Sequence, residues 1–202
     1  MWEDRFNTPD YVFGTDPAQF LRDHAALLTP GRTVLAVADG GGRNSVFMAE
    51  CGLDVTAVDY APSALAKARK LAEQRGVTVD FRQADLLTND WHVPFEQTPF
   101  DMVAGIFIQF TGPDARAAML DRMARCLHPG GLMLLHGYSP KQLQHGTGGP
   151  PFVENLYTLD ILRDHFPGWE VLEARDYERD VQEGRGHSGL SALIDFIARK
   201  PA

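Results

Sequence analysis

Short apolar runs alternate along this chain with longer segments whose apolar residues recur every three or four positions. Residues 33–38 and 55–58 are small or β-branched, the length of buried strands, and 77–84, 100–107 and 132–138 repeat the pattern. The 100–107 run is apolar throughout after Asp101, as expected of a strand covered on both faces. Helical spacing separates these runs. Residues 44–50 form a short helical segment, and Pro62 opens a longer one with Leu65, Ala68, Leu71 and Ala72 on one side. Gly76 closes it in a position that tolerates left-handed dihedrals. Pro113 opens another, carrying Met119, Leu120, Met123 and Leu127, and His128-Pro129-Gly130-Gly131 turns the chain into the fifth strand. Five strand and helix units in alternation predict a parallel, doubly wound α/β sheet.

The ends of the chain are less regular. Residues 1–15 carry Trp2, Phe6, Tyr11 and Phe13 without a clean period. Thr15-Asp16-Pro17 reads as a helix start, since Thr or Asp can cap free amides and Pro suits the first turn, and the helix is expected to reach about Leu28. Residues 86–99, with turn-formers and two prolines, read as a surface loop. A Gly- and Pro-rich loop at 139–151 precedes a short helix at 159–166. Two strand-like segments, 169–177 and 190–198, then flank Glu183-Gly184-Arg185-Gly186-His187-Ser188-Gly189 and predict an antiparallel pair.

Composition narrows the function. The 202 residues, 44% hydrophobic and 23% charged, fit a single domain, and the formal charge of -8 disfavours nucleic acid as a partner, because affinity for a phosphate backbone comes from clustered Lys and Arg. No apolar run approaches the ~18 residues of a membrane span, and Met1-Trp2-Glu3-Asp4-Arg5 lacks the regions of a signal peptide, so a cytoplasmic protein with a small-molecule partner is expected. Cys51 and Cys126 read as small buried hydrophobes. The seven histidines form no H-x-x-x-H or H-E-x-x-H pattern, so no metal is expected. Oligomeric state stays open between monomer and homodimer.

The chemistry concentrates where the first strand breaks into Asp39-Gly40-Gly41-Gly42-Arg43-Asn44 and the second ends on Asp59. Glycines let a backbone approach a ligand closely, and a carboxylate at the tip of the next strand accepts hydrogen bonds from ribose hydroxyls. The nineteen-residue step from Gly40 to Asp59 matches the ~20 residues of a nucleoside-binding βαβ unit.

With Gly40 and Gly42, Asp59, Asp85 at the end of the third strand, and Pro129-Gly130-Gly131 in order, nearly the whole chain resembles the class I S-adenosylmethionine-dependent methyltransferases. Trp2-Glu3-Asp4-Arg5-Phe6, Tyr11-Val12-Phe13-Gly14-Thr15-Asp16-Pro17, Thr147-Gly148-Gly149-Pro150 and the glycine-flanked His187 resemble a small bacterial branch related to the tellurite-resistance and thiopurine methyltransferases. The resemblance implies a Rossmann-like three-layer αβα sandwich. Its mainly parallel seven-stranded sheet ends in an antiparallel hairpin, and residues 1–30 form an arm and helix over the cofactor cleft. It implies S-adenosyl-L-methionine as cofactor, S-adenosyl-L-homocysteine as product, and a small, soft sulfur, selenium or tellurium nucleophile as methyl acceptor.

Carried over residue by residue, the cofactor set is Asp39, Gly40, Gly42, Asn44, Asp59, Tyr60, Asp85, Leu86, Phe107 and Tyr11. Asp59 takes the ribose, Asp85 and the Leu86 amide the adenine, and Tyr60 packs on the ring. Ala36 stands where the family has an acid and Ala38 where it has its first glycine, so Asp39 is the acid expected to meet the methionine ammonium. Phe13, Tyr138 and Gln142 are expected around the acceptor. Methyl transfer to an ionised acceptor needs no base. Where the acceptor must lose a proton, His187 is the candidate, with His136 reading as a hydrogen-bonded core residue. Two alternatives remain from the residues alone. Gly40-x-Gly42-x-x-Ser45 approaches the dinucleotide fingerprint of an NAD(P)-dependent oxidoreductase, and a non-catalytic S-adenosylmethionine sensor would also keep Asp59 and Asp85.

Overall fold

The computed structural model describes residues 2–202. Seven strands form one sheet: β1 (Thr33–Val37), β2 (Asp54–Asp59), β3 (Asp80–Gln83), β4 (Phe100–Ile106), β5 (Leu127–Tyr138), β6 (Glu170–Gln182) and β7 (Ser188–Arg199). Their spatial order is β3-β2-β1-β4-β5-β7-β6. The first five are mutually parallel, and β7 runs antiparallel to both β5 and β6. The helices are α1 (Trp2–Phe6), α2 (Gln19–Asp23), α3 (Arg43–Glu50), α4 (Pro62–Arg75), α5 (Val93–Glu96), α6 (Pro113–Arg125) and α7 (Leu159–His165).

Alternation along the strands sends side chains to two cores. Val34, Ala36, Met102 and Leu134 face α2 and α3, meeting Phe20, Leu21 and Met48. Leu35, Val37, Val103 and Leu135 face the other way, onto Met119, Leu120, Met123 and Leu162 of α6 and α7. The chain is therefore layered αβα, as expected. Because β1 lies between β2 and β4, the order of the strands reverses there, and a crevice opens at the carboxyl ends of β1 and β4, the usual place for a ligand in such sheets.

Several expected boundaries move. The first long helix is only α2, followed by a 3-10 turn at Ala25–Leu27, and neither Thr15 nor Asp16 caps it. The backbone amides of Ala18 and Gln19 donate instead to Asn44 Oδ1 and Glu183 Oε1, each at 2.9 Å. The expected loop at 86–99 contains α5, and its Trp91 and Phe95 are buried in the core on the α6 side, so apolar residues among turn-formers pin this segment down. The third strand shortens to four residues at the sheet edge, while β6 extends to Gln182. His128-Pro129-Gly130-Gly131 lies within β5, where Gly130 N donates to Lys200 O and Lys200 N donates to Gly131 O. Among the described residues, no helix is long and apolar enough to cross a membrane.

Candidate cofactor and acceptor site

Beyond Val37 the backbone enters a turn with φ of 48° at Ala38, 63° at Gly40 and 87° at Gly42. These alternate positions are the three that the family fills with glycine, so the geometry supports the register that puts Ala38 in the first. A Cβ at Gly42 would come 2.7 Å from the Cβ of Ala68, so glycine is required where the start of α3 packs on α4. Asp59 is 6% exposed, and its carboxylate joins two segments: Oδ2 accepts from Gly40 N at 2.8 Å and Oδ1 from Ala61 N at 2.9 Å. Burial raises its pKa, opposed by those amides. A carboxylate has about four acceptor sites, so these amides leave capacity that a ribose hydroxyl could use.

Asp39 is turned to another task. Its oxygens accept from Ser45 N at 3.2 Å and Ser45 Oγ at 2.5 Å, satisfying an amide in the first turn of α3, and burial pushes its pKa up to about 6. The carboxylate still borders, with Ala36, Ala38, Asn44 and Ile106, a cavity of about 10 Å³ between the ends of β1 and β4. Ser45, the residue that spoils the dinucleotide fingerprint, is thus the partner of Asp39. Asp85 is partly exposed and its Oδ1 accepts from Leu87 N at 2.9 Å, while the side chain of Leu86 is in the core. Ala84 N donates to Asp59 O, which sets Asp85 beside the end of β2. Tyr60 is 45% exposed, with its ring open to a stacking partner.

The N-terminal arm covers the loop. Phe6 packs on Ala61 and Ala64 and lies against Gly40, and the Tyr11 ring lies against Gly41 while its hydroxyl donates to Lys67 O at 3.0 Å. At the end of β4, Phe107 adopts φ 57° and stacks on His187, centroids 4.1 Å apart, with Phe13 on the opposite face at 4.6 Å. Burial, and the positive charge of Arg43, hold the His187 pKa well below the usual imidazole range. The ring is therefore neutral, and its Nδ1 shares a hydrogen bond of 2.5 Å with the Tyr138 hydroxyl. That environment suits an aromatic wall rather than the base expected of His187. Gln142 also departs from expectation: its amide donates to Thr147 Oγ1 and Gly148 O and accepts from Ala192 N, so it fixes the loop and does not face an acceptor.

Other residues of the site emerge only from the fold. Buried Arg43 and half-buried Glu183, 140 residues apart, pair at 2.7 Å and tie the glycine loop to the β6–β7 turn. Next to them a cleft of about 460 Å³ opens between α2 and the end of β6, with His136 in its lining. His24, Glu173 and Asp195 bring ligand atoms within 4.8 Å of one another, yet the Arg175 guanidinium lies 3.6 Å from Glu173 and 3.9 Å from Asp195 and supplies positive charge there.

Residues 34–131 match the family model described as a methyltransferase domain. Among curated proteins, the chain is 35% identical over 107 residues to an uncharacterized protein of Mycobacterium tuberculosis, covering 53% of this chain and 37% of that protein. It is 38% identical over 108 residues to a ubiquinone biosynthesis O-methyltransferase of Xylella fastidiosa, covering 52% and 41%, and 31% identical over 134 residues to a demethylmenaquinone methyltransferase of Renibacterium salmoninarum, covering 66% and 50%. The chain thus spans half or less of the length of these relatives. Two solved structures share its fold. One, from work on the conversion of a disulfide bond into a thioacetal group during echinomycin biosynthesis, has a TM-score of 0.77 at 22% identity over 96% of this chain and 85% of that one. TehB from Haemophilus influenzae has a TM-score of 0.71 at 20% identity, over 98% and 67%. The stretch 34–131, which holds the glycine loop, Asp59, Asp85 and the glycine turn of β5, is therefore the part of the chain that is similar to a methyltransferase domain.

Proposed function

We propose that the protein transfers the methyl group of S-adenosylmethionine to a small molecule through a soft sulfur, selenium or tellurium nucleophile. The observation that carries the donor side is Asp59, fixed by the amides of Gly40 and Ala61 at the tip of β2, with the left-handed loop of 38–42 beside it. On the acceptor side, Phe107, His187 and Phe13 present stacked aromatic faces at the carboxyl end of β4. Such faces attract a sulfonium cation and a polarisable acceptor. Displacement at the methyl carbon is in line, and the sulfonium is already an activated leaving group. The protein's part is alignment and exclusion of water, worth about 7 kcal/mol or more of the barrier when the reactants are well oriented. The arm over Gly40 and Gly41 suits that second task.

Calorimetric titration with S-adenosylmethionine, S-adenosylhomocysteine and NAD tests the donor. Binding of the first two and not of NAD is expected, and the reverse would remove the methyltransferase reading. Formation of S-adenosylhomocysteine with a panel of thiols, selenite, tellurite and a catechol tests the acceptor. Turnover of the catechol alone would move the acceptor atom from a chalcogen to oxygen. Binding without any turnover would favour the sensor.

A further inference from the structure

The cleft between α2 and β6 has a volume of about 460 Å³, within the ~300–1,000 Å³ range of small-molecule sites. Its wall is mixed: Phe20, Leu193 and Val181 are apolar, Gln19, Arg22 and Arg179 polar, and His136 and Tyr177 also line it. His136 is tied to the donor site. It pairs with Ile106 across β4 and β5, its carbonyl accepts from Phe107 N at 2.8 Å, and its ring meets the Phe107 ring edge-on at 4.7 Å. The cleft therefore borders the strand end at which the methyl group is expected.

The imidazole is held as a base is held. Nδ1 lies 2.7 Å from Asp195 Oδ1, which also accepts from the Tyr177 hydroxyl at 3.1 Å, and both His136 and Asp195 are almost fully buried. With Nδ1 committed, Nε2 is the nitrogen left to the cleft. Phe20 stacks on the ring at 5.0 Å and fixes its plane. Asp195 Oδ2 is buried without a hydrogen bond, and the Arg175 guanidinium stands 3.9 Å away. The charged and titratable groups facing the pair and its cleft are Asp16, Arg22 and His24 from the α2 side, Glu173, Arg175, Tyr177, Arg179, Asp180 and Glu183 from β6 and its turn, and His187 across Phe107.

We propose that His136, oriented by Asp195, is the general base of the transfer, and that the α2–β6 cleft receives an acceptor that arrives protonated, a thiol rather than a chalcogen oxyanion. This rests on the methyl-transfer reading above. His136 Nε2 takes the S–H proton, the thiolate forms a bond to the methyl carbon, and the carbon–sulfonium bond breaks. The products are a methyl thioether, S-adenosylhomocysteine and an imidazolium that returns its proton to water.

The test compares acceptors of different acidity. At pH 7, His136→Gln is expected to lower kcat by about 10²–10⁴-fold with an alkyl thiol, the usual worth of a general base, and by less than about tenfold with an aryl thiol already ionised at that pH. Affinity for S-adenosylmethionine stays within about twofold. The unmodified protein supplies a second measurement that needs no folded variant. With an alkyl thiol its kcat/KM levels off well below the thiol's own pKa of about 8.5, whereas without a base it climbs tenfold per pH unit up to that value. An equal loss with both thiols, a rate that climbs all the way to the thiol pKa, or turnover of selenite and tellurite only, would each overturn the proposal while leaving the methyltransferase reading intact. Failure to bind S-adenosylmethionine would overturn both.

Discussion

Ala38 holds φ at 48°, a conformation that disfavours any side chain with a Cβ by about 1–2 kcal/mol. Ala38→Gly removes that strain and restores about 0.5–1 kcal/mol of unfolded-state entropy to be lost, so a net gain of about 0.5–1 kcal/mol is expected in urea unfolding. Asp39 makes a prediction of the opposite kind. Its folded pKa of about 6 stands above its unfolded value of 3.8, so the native state binds the extra proton. Stability from this group is full below pH 4 and declines as pH rises through 6, and Asp39→Asn should flatten the decline, on the order of 2 kcal/mol, in denaturation curves across that window. At Asp59, loss of two charge-assisted hydrogen bonds to ribose should weaken S-adenosylmethionine binding by at least about 100-fold in Asp59→Ala, read by calorimetry. The position of Asp59 at the end of β2, beside Gly40, is legible because it is local: a strand end, nineteen residues from a glycine. Gln142 and His187 were misread for the converse reason. A polar residue in a glycine-rich loop carries no mark of the distant amides and rings that occupy it, here Ala192 for Gln142 and Phe13 and Phe107 for His187.

At the scale of elements, α4 and β4 fall where periodicity puts them, because each is specified by its own residues: Pro62 at the start, Gly76 in the left-handed stop, an unbroken apolar run in the strand. The helix expected from Thr15-Asp16-Pro17 does not, since its first free amides are satisfied from Asn44 and Glu183, 26 and 164 residues away. Glu183 thereby serves two elements, closing the start of α2 and neutralising buried Arg43 at the start of α3. Its removal leaves a buried guanidinium without its partner, which typically costs about 3–5 kcal/mol. Glu183→Ala should thus shift the urea midpoint by about 3 kcal/mol in equivalent stability. A shift below about 1 kcal/mol would mean that water takes over both contacts.

For the whole molecule, the sheet order and both cores follow from strand and helix alternation, while the proposed acceptor side draws on the arm, the end of β4, β5 and the final hairpin at once, a convergence that no local pattern encodes. A ligand that binds only the native chain stabilises all of it together. S-adenosylhomocysteine at 100 times its Kd should add about 2.7 kcal/mol, and raise Tm by roughly 5–10 °C in a thermal scan, with NAD giving no shift. The two oxygens of Asp59 lie behind that coupling. They fasten the glycine loop to the head of α4 and, on the function proposed above, are also the groups offered to a ribose, so one carboxylate would be both a joint of the fold and a ligand of the site. Affinity for the nucleoside and rigidity of the loop are therefore not independent quantities in this chain. No substitution at this position can loosen the hold on the cofactor and leave the fold as firm as before.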